Sequence, residues 1–129
     1  MKKMNNKGFS LVELIIVIAI MAILIGVLAP QYIKYVEKSR SSADLDQLDS
    51  VYNACTIAAA DPEIEDAPTN GTATVDSSSS WGKEVLTTLG VTNISSLKWK
   101  SKSAKNGTLS ITVDAQGNFK CTKGSLVVE

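Results

Sequence analysis

The chain has no histidine and only two cysteines. The first absence removes the commonest general base and the commonest metal ligand together. The second leaves no Cys-based zinc or redox motif, because Cys55 and Cys121 stand far apart in the chain. Neither sign of charge is in excess, with 13 Lys plus Arg against 13 Asp plus Glu. No overall basic field therefore drives nucleic-acid binding, and no acidic surplus marks a disordered solvating tail. The length of 129 residues allows one domain of ordinary size. No enzyme chemistry, resident metal or cofactor is expected from this inventory.

What is present is unevenly spread. The first eight residues, MKKMNNKG, include three lysines and no acid. Residues 14–29, LIIVIAIMAILIGVLA, form 16 consecutive apolar positions, and back to Phe9 the segment is interrupted only by Ser10 and Glu13. A helix of that extended length reaches roughly 31 Å, close to the hydrocarbon thickness of a bilayer. Beyond Pro30 the chain turns polar. The pattern reads as a single membrane span or a secretory signal, and two details favour the span. The apolar run is long for a signal, and Leu28-Ala29-Pro30 is a poor cleavage exit. The lysines hold the N-terminus in the cytoplasm and send residues 31–129 across the membrane.

Lys7-Gly8-Phe9-Ser10-Leu11-Val12-Glu13, followed by the apolar run, resembles the prepilin motif of type IV pilins and their relatives. The resemblance covers about the first 30 residues closely. It implies cleavage between Gly8 and Phe9 by prepilin peptidase, a membrane aspartyl protease, and methylation of the new Phe9 amine. It also implies that Glu13 and Phe9 act in assembly, and that Pro30 falls where the family often kinks its long helix. Glycine at the cut lets backbone enter a tight protease cleft.

Two readings of Glu13 follow from the residues. A carboxylate in an apolar span costs about 2.5–3.5 kcal/mol near the helix centre and less towards an end. Glu13 can sit near the interface, favoured by the positive end of the helix dipole. Alternatively it pairs with the Phe9 amine of a neighbouring subunit and sets axial register, the reading that the resemblance favours. Gly26 and Pro30 weaken one turn, since proline removes the hydrogen bond to the Gly26 carbonyl. That turn is either a tolerated membrane-helix kink or a segment that melts on assembly.

Past Pro30, Leu45, Leu48, Val51, Tyr52, Cys55 and Ala59 recur at helical spacing, with Glu37, Lys38, Arg40, Asp44, Asp46 and Asp49 on the remainder. Asp61-Pro62 ends a helix predicted over 9–60. Residues 61–80 read as a surface loop, and 81–89 as a short helix closed by Gly90. Further on, Leu97 and Trp99 alternate with Lys98, Lys100 and Lys102, and Asn106-Gly107 offers a hairpin turn. Leu109, Ile111 and Val113, then Phe119 and Cys121, are the inward sets of further strands, with a short edge over 126–128.

The fold expected is α+β: a long N-terminal helix, transmembrane in its first half, packed on a small antiparallel sheet of three to four strands, as in pilins. Its parts are a leader over 1–8, a membrane or filament-core helix over 9–30, and a head over 31–129. Cys55 and Cys121 both face inward and either form a disulfide, which the extracytoplasmic side permits, or stay as small buried hydrophobes. The lysine stretch 98–105 reads as a solvated strand face rather than a DNA-binding surface. Asp114, Gln116 and Asn118 alternate like calcium ligands but offer a single carboxylate.

The resemblance thus implies a pilus subunit whose partners are other copies of itself, prepilin peptidase, the cytoplasmic membrane and the pilus assembly machinery. It would begin as a single-pass membrane protein and end in a cell-surface filament. The alternatives are a pseudopilin of a type II secretion or DNA-uptake system, or a membrane-anchored binding module or adhesin that never polymerises.

Overall fold

A computed structural model describes residue 8 and residues 10–129. Its elements run α1 (Leu11–Ala60), β1 (Gly71–Ala73), α2 (Ser80–Leu89), a 3-10 turn (Ile94–Ser96), α3 (Lys102–Asn106), β2 (Leu109–Val113), β3 (Phe119–Lys123) and β4 (Leu126–Val128). The chain divides into a unit ending at Val36 and a unit from Glu37 to Glu129, and α1 contributes to both.

In the first unit α1 begins with its cap. Ser10 Oγ accepts the Glu13 N–H at 3.2 Å, and the Ser10 carbonyl accepts the Leu14 N–H at 3.2 Å. A serine followed three residues later by glutamate is the sequence signature of such a start. The helix continues without interruption through Gly26 and Pro30. Every described residue up to Tyr35 is exposed, including Ile18 at 61% and Ile25 at 61%. By length and composition this stretch can cross a membrane.

The second unit is built on the rest of α1. Its buried stripe is Asp44, Leu48, Val51, Ala54, Cys55 and Ala58, the three- and four-residue recurrence of one helical face. This corrects the predicted face at two positions. Leu45 is 40% exposed, whereas Asp44, assigned to the solvated remainder, is 1% exposed. The stripe packs with Ile111, Val113, Phe119 and Cys121 from one sheet face and with Trp81, Val85 and Leu86 from α2. Trp81 stacks on Phe119 with ring centroids 5.8 Å apart, within the range favoured by offset aromatic pairs. Burial of side chains this large stabilises by about 1.5–3 kcal/mol each.

The sheet is antiparallel in the order β1-β2-β3-β4, so the α+β expectation holds. Its membership differs from the prediction in two places. Residues 61–80 supply β1, whose Thr72 pairs with Thr112 and Ala73 with Ile111. The loop reading missed it because the strand is three residues long, with only Ala73 and nearby Val75 turned inward.

Conversely, residues 97–102 form no strand, and Asn106-Gly107 closes no hairpin. Ser101 caps α3 there, its Oγ accepting the Ala104 N–H at 3.2 Å. Gly107 serves instead for close approach: a Cβ on it would lie 2.1 Å from the Gly124 Cα. Alternation alone could not reveal that the backbone of this stretch bonds to α1 and not to a strand.

Helix α2 follows its sequence closely. Ser79 Oγ accepts the Gly82 N–H at 2.9 Å, and Gly90 ends the helix in the left-handed conformation. Asp66 reinforces the start, accepting the Ser80 and Trp81 N–H groups at 2.7 and 2.9 Å. Those backbone bonds hold its carboxyl below the usual range.

Candidate functional site

Three groups of residues were singled out by the sequence, and they fall in different places. The processing group is Gly8 with Phe9; Phe9, its cleavage, its methylation and its role in assembly lie outside the described residues. Gly8 is exposed, with φ of +113°, and a Cβ there would meet nothing within 4 Å. That backbone conformation favours glycine for reasons of strain and not of space.

Glu13 lies in the first turn of α1 and is exposed. Its place there brings its carboxylate near the positive end of the helix dipole. Ser10 is the residue that the sequence reading passed over. The Ser10-Leu11-Val12-Glu13 spacing was the available signal, and it fixes where α1 starts. Gly26 and Pro30 both lie in helical, exposed backbone, so the weakened turn is wound in the single chain.

A second assembly of polar groups emerges in the head. Along one face of α1, Glu37, Asp44 and Gln47 hold the backbone of residues 98–102. Asp44 Oδ1 accepts the Lys100 N–H at 2.8 Å and Oδ2 the Ser101 N–H at 2.6 Å. Glu37 Oε2 accepts the Lys102 N–H at 2.9 Å, and Gln47 Nε2 donates to the Lys98 carbonyl at 2.8 Å. Burial by itself would raise the Asp44 carboxyl. The Ser101 hydroxyl and the two backbone N–H groups outweigh it and hold that carboxyl below its ordinary value. The signal that could have found this clamp is phase: Asp44 stands four residues before Leu48 on the buried stripe.

The clamp also changes the reading of the lysine stretch. Lys98, Lys100, Lys102 and Lys105 are exposed, on a tethered loop and the short α3. Trp99 is half-buried against the core, and the lysine over its ring is Lys123, whose Nζ lies 5.5 Å from the centroid. Asp114 Oδ1 accepts the Gln116 and Asn118 N–H groups at 2.9 and 2.8 Å, which closes the β2–β3 turn. Among the described residues no three His, Cys, Asp or Glu side chains come together as metal ligands.

The third group is the cysteine pair. Cys55 from α1 and Cys121 from β3 are both 0% exposed and share one core.

The first part of α1 is apolar and exposed, with a glycine before its first turn and a glutamate inside it. Residues 3–29 match the family described as the prokaryotic N-terminal methylation motif. The chain is also similar to the type IV major pilin protein PilA of Myxococcus xanthus, at 41% identity over 50 residues. That match covers 39% of this chain and 23% of the relative, so the chain spans about a quarter of the length of the curated pilin it matches. Over these residues the chain is similar to the N-terminal part of a type IV pilin. No solved structure matches.

Proposed function

We propose that this chain is the structural subunit of a type IV pilus, cut between Gly8 and Phe9, methylated on Phe9, and assembled through α1. The observation that carries the reading is the exposed apolar span, Leu14 to Leu28, directly behind the Gly8-Phe9-Ser10-Leu11-Val12-Glu13 sequence. Exposed apolar surface on this scale is unfavourable in water and calls for lipid or for further copies of the same helix. Before assembly the lipid of the cytoplasmic membrane covers it, with the head outside. In the filament neighbouring α1 helices cover it. Glu13 of one subunit then pairs with the Phe9 amine of the next, an interaction that selects register more than it stabilises.

The pilus assembly machinery and prepilin peptidase are the partners this requires. The head coats the filament, and its exposed lysines meet solvent. The test is the N-terminal sequence of the chain recovered from filaments sheared off the cells that make it. The expected chain starts at methylated Phe9 and is abundant in the sheared fraction. A chain confined to membranes that still carries Met1–Gly8 would replace this reading with a non-polymerising anchor.

A further inference from the structure

We propose that Cys55 and Cys121 form a disulfide that closes while the head folds and is thereafter sealed inside it, locking α1 to the central strand β3. The inference rests on the export of residues 31–129 entailed by the proposed function, since that side of the membrane supports disulfides.

Placement is the first argument. Cys55 stands in the buried stripe of α1 and Cys121 at the middle of β3, in register with Ile111 on one side and Val128 on the other. Both side chains are buried in the one core that α1 and β3 share. A disulfide needs its Cβ atoms within about 3.5–4.5 Å of each other, and a helix stripe packed on the strand face that carries Cys121 puts both side chains in one core.

Enclosure is the second argument. The Trp81 indole N–H donates to the Cys55 carbonyl at 3.1 Å, fixing the ring beside that cysteine. The same ring stacks on Phe119, two residues before Cys121 on the same strand face. Trp81, Phe119, Cys55 and Cys121 are between 0% and 3% exposed. Burial of both sulfurs keeps soluble oxidants and reductants from the pair in the folded head. Exchange is thereby blocked in the finished fold in both directions.

The bond must then form before Trp81 closes over it. The oxidant is the disulfide of an exported thiol oxidoreductase or of an oxidised small thiol. Attack by one cysteine sulfur on that disulfide gives a mixed disulfide and expels one thiol. The second cysteine sulfur displaces the other thiol, so two protons and two electrons leave the pair and one S–S bond remains. The loop so closed contains β1, α2, α3 and β2, and closing long loops restrains the unfolded chain most.

The test uses the full chain taken from the cells that make it. It is denatured without reductant in N-ethylmaleimide, and its intact mass is measured. The expected chain carries no maleimide and is lighter by the two hydrogens the bond removes. A second sample is held folded in phosphine reductant before the same labelling. It should resist reduction until denaturant is added.

Two maleimides on the unreduced chain would overturn the bond. Reduction of the folded sample as fast as the denatured one would overturn the seal. The same spectrum reads the N-terminus and so separates the two readings. A labelled chain starting at Phe9 fails the disulfide alone. A labelled chain retaining Met1–Gly8 fails the disulfide and the proposed processing together.

Discussion

From Leu14 to Leu28, α1 carries apolar side chains all round and every one is exposed; from Glu37 to Ala60 a single stripe is apolar and that stripe is buried. One uninterrupted helix thus obeys two solvent rules. In the first half hydrophobicity has no preferred direction, the pattern of a helix surrounded by apolar neighbours on all sides. In the second half direction is everything, because one face packs on a sheet and the other meets water. Polar residues diverge in the same way. Glu13 lies exposed in the apolar half, whereas Asp44 is buried in the polar half and its carboxylate accepts two backbone N–H bonds. A charge inside an apolar span without a use is costly, whereas Asp44 is accounted for by the chain's own backbone.

The comparison breaks most visibly at Glu13. Replacing it with Ala should leave cleavage after Gly8 intact and leave the urea unfolding midpoint of the head unchanged. Surface filament yield should fall by about tenfold or more, the ratio that 1.4 kcal/mol of lost pairing produces. Normal filament yield from Glu13→Ala would mean that this carboxylate merely sits at the interface, as the helix dipole alone would explain.

At Asp44 the expected effect is on the head alone. Asp44→Ala strands the N–H groups of Lys100 and Ser101, which should cost about 2–4 kcal/mol of unfolding free energy at neutral pH. The acid response follows from the direction of its shift. Its carboxyl is lower in the folded head than the ordinary value of about 3.9 in the unfolded chain. The stabilisation is therefore full above about pH 4 and is lost as pH falls through the lower, folded value. Asp66, Asp76 and Asp114 are shifted the same way by backbone and hydroxyl bonds, so both proteins weaken in acid. The gap between wild type and Asp44→Ala should narrow below pH 4. A gap that stays constant to pH 2 would show that the clamp does not act through the charged carboxylate.

The legibility of the sequence divides along the same line. The helical course of the first half of α1 was readable, because an unbroken apolar run is a local fact. So were α2, with Gly90 at its end, and the β2–β3 pair, where apolar alternation coincides with burial at Ile111, Val113, Phe119 and Cys121. What escaped was decided by distant partners. Leu97 to Lys102 alternates like a strand, but its N–H groups go to Glu37 and Asp44, far back on α1. Gly71 to Ala73 looks like loop because its strand character comes from pairing with Ile111 to Val113 and not from its own side chains. The inward placing of both cysteines was legible; their sharing of one core required the fold.

The smallest effect belongs to Gly26, and its sign distinguishes two uses of a weak turn. A Cβ at Gly26 meets nothing within 4 Å and the backbone is helical, so Gly26→Ala should strengthen α1 locally by about 1 kcal/mol. The head, whose core begins at Asp44, should show an unchanged urea midpoint. If residues 26–30 must unwind as subunits pack, the added helix propensity opposes assembly, and filament yield should drop by about fivefold, the ratio matching 1 kcal/mol. If the turn is only a kink that lipid tolerates, yield stays the same, and Pro30 alone explains the missing hydrogen bond to the Gly26 carbonyl. Circular dichroism of sheared filaments supplies the second readout, since a melted turn lowers helix content in wild type and recovers it in Gly26→Ala. A matching helix content in the two filaments would leave the kink as the sole role of this pair.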